Sequence, residues 1–153
     1  MWPAHCEIGG WGHNIHASIY PSCQQWEEKR LRIVHTVLKG INPWTEHYSA
    51  LQAEVPDPTD PHTQLNDALI SKLVQANTLL IAGEASSHCV KSTVEHFVEN
   101  SFHTSQNRIV LLTDCISPVF GFEAHTESFL SGMREHGIRL ATTAQLSEEF
   151  HRA

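Results

Sequence analysis

Cys89 has the sequence surroundings of a nucleophile. It follows Leu79–Ala82, a short apolar run that predicts a buried strand ending at Gly83. Beyond Cys89 the apolar positions have helical spacing, at Val90, Val94, Phe97 and Val98. We therefore expect Cys89 at a helix N-terminus, where unpaired backbone N–H groups and the helix dipole favour a thiolate and can hold an oxyanion. A buried structural thiol is the alternative, since free cysteines are among the most buried residues.

Strands and helices are predicted to alternate along the chain, which is typical of βαβ units with a parallel sheet. The strands are predicted at Leu31–Leu38, Thr78–Ala82, Arg108–Thr113 and Ile138–Thr142. The helices are predicted within Ile19–Lys29, from Asp60-Pro61 onward, and at Cys89–Glu99, Glu123–His136 and Ala144–Arg152. Parallel sheets bind ligands at the carboxyl ends of their strands. Lys39, the turn at 84–89 and Asp114 all follow strand ends, so we expect them along one edge.

Composition favours one globular domain over residues 1–153, with 41% hydrophobic and 18% charged residues. A net charge of −7 argues against a nucleic-acid or anionic-membrane partner. No apolar run approaches the roughly 20 residues that span a bilayer. The four cysteines follow neither a metal-binding nor a disulfide spacing, so a reducing cytoplasm is the predicted location.

Four segments of the chain, in this order, resemble motifs of the isochorismatase-like cysteine hydrolases, the superfamily that contains nicotinamidase. They are Trp2-Pro-Ala-His-Cys6 with Gly9-Gly10, Lys39-Gly40 with Tyr48-Ser-Ala50, Gly83-Glu-Ala-Ser-Ser-His-Cys-Val90, and Asp114-Cys-Ile-Ser-Pro118 with Gly121-Phe-Glu123. The resemblance covers almost all 153 residues and looks closest to nicotinamidase-like members. It implies an α/β fold, a three-layer α/β/α sandwich with a mainly parallel sheet.

The resemblance also implies catalytic roles. Cys89 would attack a carbonyl and form an acyl-enzyme, and Lys39 would stabilise the thiolate and the developing oxyanion. The backbone N–H groups of Ala85 and Cys89 would form the oxyanion hole, beside a cis peptide between Glu84 and Ala85. Without the resemblance, Lys39 would be interpreted as an exposed lysine at the end of a strand.

Substrate and metal contacts are implied for residues outside this pair. Trp2 would stack against a flat heteroaromatic ring, and Tyr48 and His88 would line the pocket. His5 would bind a divalent metal, with zinc as the expected ion, although a polar surface histidine is the alternative. One histidine cannot hold a catalytic metal, which takes about three protein ligands.

Part of the family pattern has no counterpart in this sequence. Members begin with a strand that carries an Asp, followed by an Asp-x-His pair before the Trp-Pro segment, whereas the first Asp here is Asp57. The chain therefore resembles the C-terminal portion of such an enzyme, with an N-terminally incomplete domain and metal site. We expect about four of the family's six strands and an uncovered side of the sheet. Hydrolysis of nicotinamide by this chain is expected to be poor or absent. Asp114 is predicted to cap the turn that follows it rather than replace the acid.

The predicted function is hydrolysis of a small carboxamide, with nicotinamide giving nicotinate and ammonia, a reaction of pyridine nucleotide and NAD salvage. Two alternative substrates are another amide, such as a carbamoyl compound, and an isochorismatase-type vinyl ether. A further alternative is that the chain is a catalytically incomplete fragment or subunit. A small-molecule amide is the expected partner, and assembly into a homo-oligomer stays open.

Overall fold

The computed structural model describes residues 3–101 and 106–152 of the chain. It divides into two compact units, Met1–Val37 and Leu38–Ala153, and the single-domain organisation stays a prediction. The first unit contains a 3-10 turn at Trp11–His13 and helix α1 at Tyr20–Arg30. The helix predicted within Ile19–Lys29 is therefore confirmed.

The strand predicted at Leu31–Leu38 is wrong, because no strand forms there within the described residues. Leu31 ends α1 with a left-handed φ of 50°. The Val34 N–H donates to the Glu27 carboxylate at 2.7 Å, so a local bond takes a donor that a β-ladder would need. The apolar side chains stay in solvent, with Ile33 87% exposed.

The second unit contains a parallel three-stranded sheet in the order β1-β2-β3. Its strands are β1 (Leu79–Glu84), β2 (Ile109–Ser117) and β3 (Arg139–Ala141). Its helices are α2 (Asp67–Leu73), α3 (Cys89–Asn100), α4 (Glu123–Glu135) and α5 (Thr143–Arg152), with 3-10 turns at Pro61–Thr63 and Gln106–Arg108. Three of the four predicted strands and the parallel sheet are thus confirmed. None of the helices in the two described ranges is long and apolar enough to cross a membrane.

The helix predicted to start at Asp60-Pro61 begins later. The Asp60 carboxylate does cap a helical turn, accepting the His62 N–H at 2.9 Å, but that turn is a short 3-10 turn. The α-helix starts at Asp67, and its cap is Asn66, whose side-chain oxygen accepts the Leu69 N–H at 3.0 Å. Side-chain capping therefore occurs at two successive helical starts, and the α-helix begins at the second.

The sheet lies between two helical layers. On one face, the buried side chains of α2, α3 and α4 pack against Ile109 and Leu111 of β2 in a cluster that includes Ile70, Val94, Phe97, Phe129 and Met133. On the other face, Val110 and Ala141 pack against Leu146 of α5. Alternate side chains of β2 therefore pack into the cores on opposite faces of the sheet. This is the α/β/α layering that was predicted. The second layer does not cover all of β1, where Leu80 is 43% exposed.

The α3 packing leads to a stability prediction. Phe97 is 2% exposed within the larger core, so Phe97→Ala should lower the free energy of unfolding by about 3–5 kcal/mol through lost burial and a cavity. Phe150→Ala is the matched control, because that ring is 63% exposed. Urea unfolding followed by circular dichroism measures both changes, and equal effects would contradict the assigned core.

Candidate active site

Cys89 is the first residue of α3 and is half-buried. Gly83, with a φ of +124°, and a cis peptide between Glu84 and Ala85 precede it at the end of β1. The cis bond is the one that the family resemblance predicts. The strand, turn and helix predicted around the thiol are therefore all present, but the strand was predicted to be buried, and alternate residues of β1 are exposed instead.

Two buried serines attach this turn to the chain beyond β2. The Ser86 N–H donates to the Ser117 carbonyl at 2.9 Å, and the Ser86 hydroxyl lies 2.8 Å from the hydroxyl of Thr126 on α4. The Ser87 hydroxyl accepts the Val119 N–H at 3.0 Å. With Ser86 fully buried and Ser87 3% exposed, these bonds are shielded from water and fix the path of the turn.

Two backbone N–H groups of the turn are available to a ligand. The Ala85 carbonyl accepts the N–H groups of both His88 and Val90 at 3.0 Å. Among the described residues, the N–H groups of Ala85 and Cys89 have no hydrogen-bond acceptor. These are the two donors predicted for the oxyanion hole, and their role stays a prediction.

Lys39 lies beside the Cys89 thiol. Its ammonium donates to Cys89 Sγ at 3.5 Å and to the His47 carbonyl at 2.6 Å. The two groups are 50 residues apart in sequence, and the structure confirms their predicted proximity. At this separation a positive charge favours the thiolate over the thiol.

A second set of bonds joins the segment after Lys39 to α3. The Ala50 N–H donates to the Thr93 hydroxyl at 3.0 Å, and that hydroxyl donates to the Cys89 carbonyl at 2.7 Å. Ser49, next to Ala50, is fully buried. The segment that holds the ammonium is therefore attached to the helix that carries the thiol.

Aromatic rings gather next to the Cys89 turn. The rings of Tyr48 and His88, both predicted to line the pocket, have centroids 5.5 Å apart. The ring of Phe122, at the start of α4, lies 4.8 Å from His88 and 5.3 Å from His125. Burial, helped by the charges of His125 and Lys91, lowers the pKa of His88, so its ring favours the neutral form at pH 7.

The predicted metal and stacking residues belong to the first unit. Trp2 lies outside the described residues. His5 is exposed, and its Nδ1 lies 2.7 Å from the Pro3 carbonyl. Within residues 3–101 and 106–152, no three His, Cys, Asp or Glu side chains form a metal-binding group. The described residues therefore do not fit a catalytic metal, and the chemistry proposed below uses Cys89 and Lys39 alone.

Asp114 does not follow a strand end, as the sequence suggested, but lies within β2. The pairing between β1 and β2 shifts beyond Ile81, and Asp114 falls in the irregular stretch of β2. Its carboxylate accepts the Thr143 N–H at 3.0 Å and the Thr143 hydroxyl at 2.6 Å. Asp114 was predicted to cap the turn that follows it, and this is wrong, because its carboxylate binds the first residue of α5 instead. The Thr143 bonds lower the pKa of Asp114.

Several residues that shape the site were not predicted as site residues. They are His47, Ser86, Ser87, Thr93, Phe122 and His125. Ser86, Ser87 and Phe122 lie inside segments that resemble family motifs, which was a usable signal. His47, Thr93 and His125 are single polar residues outside the quoted motifs, and neither periodicity nor spacing marks them.

Comparison with known proteins gives matches to solved structures only. No family model and no curated protein sequence matches the chain. The yeast nicotinamidase bound to the inhibitor nicotinaldehyde is 22% identical with a TM-score of 0.65 over 93% of this chain. PnC1 of L. infantum in complex with nicotinate is 23% identical with a TM-score of 0.68 over 94%. The pyrazinamidase of Pyrococcus horikoshii in complex with zinc is 19% identical with a TM-score of 0.59 over 93%.

The chain has the isochorismatase-like fold of the nicotinamidases. The fold class predicted from the four motifs is therefore confirmed. The chain spans 58% of the yeast enzyme, 62% of the L. infantum protein and 63% of the Pyrococcus enzyme. This likeness concerns the fold.

The environment of the thiols predicts selective alkylation. Cys89 should react with iodoacetamide at neutral pH faster than Cys23 or Cys115, because Lys39 and the helix N-terminus favour its thiolate. Desolvation, with the neighbouring Asp114 carboxylate, raises the pKa of Cys115 and should slow it further. Peptide mapping by mass spectrometry gives the three rates. Equal rates would remove the case for a poised nucleophile.

The Asp114 contacts predict a pH-dependent stability. The folded state lowers the pKa of this carboxyl below its ordinary 3.8, so its contribution is full above that value and is lost as pH falls through the lowered pKa. Asp114→Ala should therefore reduce the melting temperature at pH 7, and the difference from the parent should shrink in acid. Glu127→Ala, at an exposed α4 position, is the control. A difference that is constant with pH would contradict the charged cap.

Proposed function

We propose that Cys89 and Lys39 form the catalytic pair of a hydrolase that cleaves the C–N bond of a small carboxamide, with nicotinamide as the substrate. The observation that carries the proposal is the 3.5 Å contact between the Lys39 ammonium and the Cys89 thiol at the start of α3. A thiol activated by a neighbouring cation is the nucleophile that covalent acyl transfer requires. The Ala85 and Cys89 N–H groups lie in the same turn and support the proposal as oxyanion donors.

The reaction proceeds in two halves. The Cys89 thiolate attacks the carboxamide carbon, a C–S bond forms, and the oxyanion is held by the two N–H groups. Collapse of this intermediate breaks the C–N bond, and the Lys39 ammonium supplies the proton with which ammonia leaves. Water then attacks the thioester and returns its proton to Lys39, which releases the carboxylic acid and regenerates the thiolate. Because an ammonium is a weaker acid than a carboxylic acid, we expect slow turnover.

A flat heteroaromatic amide is favoured by the rings beside the nucleophile. The rings of Tyr48, His88 and Phe122 lie at the N-terminus of α3, and such aromatic surroundings suit a flat heteroaromatic ring. The structurally similar proteins solved with nicotinaldehyde and nicotinate bind pyridine ligands. Nicotinamide combines a pyridine ring with a carboxamide. Its ring suits the aromatic side chains of the site, and its carboxamide is a group that the Cys89 thiolate can attack.

Acylation of Cys89 by nicotinamide tests the proposal without depending on fast turnover. Incubation followed by acid quench should give a nicotinoyl thioester on the Cys89 peptide and one equivalent of ammonia in the first turnover. Lys39→Met should lower the acylation rate by about 10²-fold or more, by loss of charge stabilisation. Cys89→Ala should give neither product, whereas Cys23→Ala should behave as the parent.

Related substrates separate the alternatives. Acylation by a carbamoyl amide but not by nicotinamide would reassign the substrate within the amides. Nicotinaldehyde should add to the Cys89 thiol as a thiohemiacetal more tightly than benzaldehyde, if the ring nitrogen is recognised. No adduct with any of these compounds would sink the proposed hydrolase and favour a non-catalytic chain.

A further inference from the structure

His47 binds the Lys39 segment at two points. Its backbone carbonyl accepts the Lys39 ammonium at 2.6 Å, and its ring Nδ1 accepts the Gly40 N–H at 3.2 Å. Gly40 has a φ of +69°, a left-handed conformation that glycine adopts without Cβ strain. Residues 39–47 therefore form a closed loop in which one residue holds both the side chain of Lys39 and the next peptide.

The direction of these bonds defines the state of the His47 ring. Because Nδ1 accepts a backbone N–H, the proton of the neutral ring lies on Nε2. Nε2 is buried and has no hydrogen-bond partner among the described residues. The ring lines a cavity of about 310 Å³ together with residues such as Leu38 and Leu65. Within the described residues, the hydrogen bond of this ring is the one that its Nδ1 accepts from Gly40.

The charges around His47 agree with a neutral ring. Burial, followed by the positive charge of Lys39, lowers the pKa of His47. The negative charges of Glu54, Asp60 and Glu46 act in the opposite direction, but the pKa of His47 is lowered overall. A neutral imidazole can keep its Nδ1 lone pair for Gly40, whereas an imidazolium would present a second donor to that N–H.

We infer that His47 is a positioning residue that fixes the Lys39 ammonium against the Cys89 thiol. The ring holds the peptide that follows Lys39, and the carbonyl holds the ammonium directly. The other end of the segment is fixed because Ala50 is bonded to Thr93, whose hydroxyl is bonded to the Cys89 carbonyl. The ammonium and the thiol are thus connected through a closed path made of these hydrogen bonds and the backbone of residues 47–50. This inference rests on the proposed role of Lys39.

The pH dependence of Cys89 alkylation tests the inference in the intact chain. His47→Leu removes the Nδ1 acceptor of the Gly40 N–H at similar volume and keeps the backbone carbonyl. The loop from Lys39 to residue 47 should then relax, and the carbonyl should hold the Lys39 ammonium less firmly against the thiol. The midpoint of the pH–rate profile should rise by about one unit, and the rate at pH 7 should fall about tenfold. His47→Asn can place an amide oxygen near the Nδ1 position and should restore the parent profile. His62→Leu, at another histidine that lines the same cavity, should leave the profile unchanged.

Lys39→Met separates this inference from the proposed function. If Lys39→Met shifts the profile and His47→Leu does not, the positioning role is overturned while the catalytic pair stands. If Lys39→Met leaves the profile unchanged, both are overturned. A measurement on the parent covers the case in which His47→Leu fails to fold. Nitrogen-15 NMR should find the His47 proton on Nε2 at pH 7, and an Nδ1-protonated or charged ring would contradict the inference.

Discussion

The packing of α3 on the sheet is the constraint on which the candidate site depends. Val90, Val94 and Phe97 bury one face of the helix against the β2 side chains Ile109 and Leu111. This burial fixes the direction of the helix, and Cys89 is its first residue. The thiol therefore takes its position from a hydrophobic core, not from a polar contact of its own. A helix with a weaker apolar face would place the same cysteine loosely.

The hydrogen bonds of the site then act on a helix and a turn that the hydrophobic core already positions. Ser86 and Ser87 attach the Cys89 turn to residues after β2, and Thr93 attaches it to the segment after Lys39. Each of these side chains joins two stretches that are distant in sequence. Because buried hydrogen bonds demand defined geometry, they limit how far the ammonium and the thiol can separate. The core provides the approximate placement, and these bonds provide the distance.

Sequence reasoning predicted the parts of the structure that have strong local signals. The period change at Cys89 and the apolar runs of β1 and β2 all led to correct elements. Leu31–Leu38 failed because β-branched composition indicates only that a segment fits a sheet, and here local bonds take up backbone groups such as the Val34 N–H. Asp114 was predicted to follow the end of a strand but lies within β2, where the pairing register with β1 is irregular. No residue pattern predicts such a register shift.

The candidate site was predictable in its chemistry but not in its supports. Cys89 and Lys39 carry functional groups whose roles follow from residue type and motif. His47, by contrast, acts through a main-chain carbonyl and a ring that accepts a backbone N–H. A carbonyl is the same in every residue, so no sequence pattern identifies it as an anchor for an ammonium. Reactive side chains can therefore be predicted from their residue types and motifs. The groups that position them can be identified only from the folded structure.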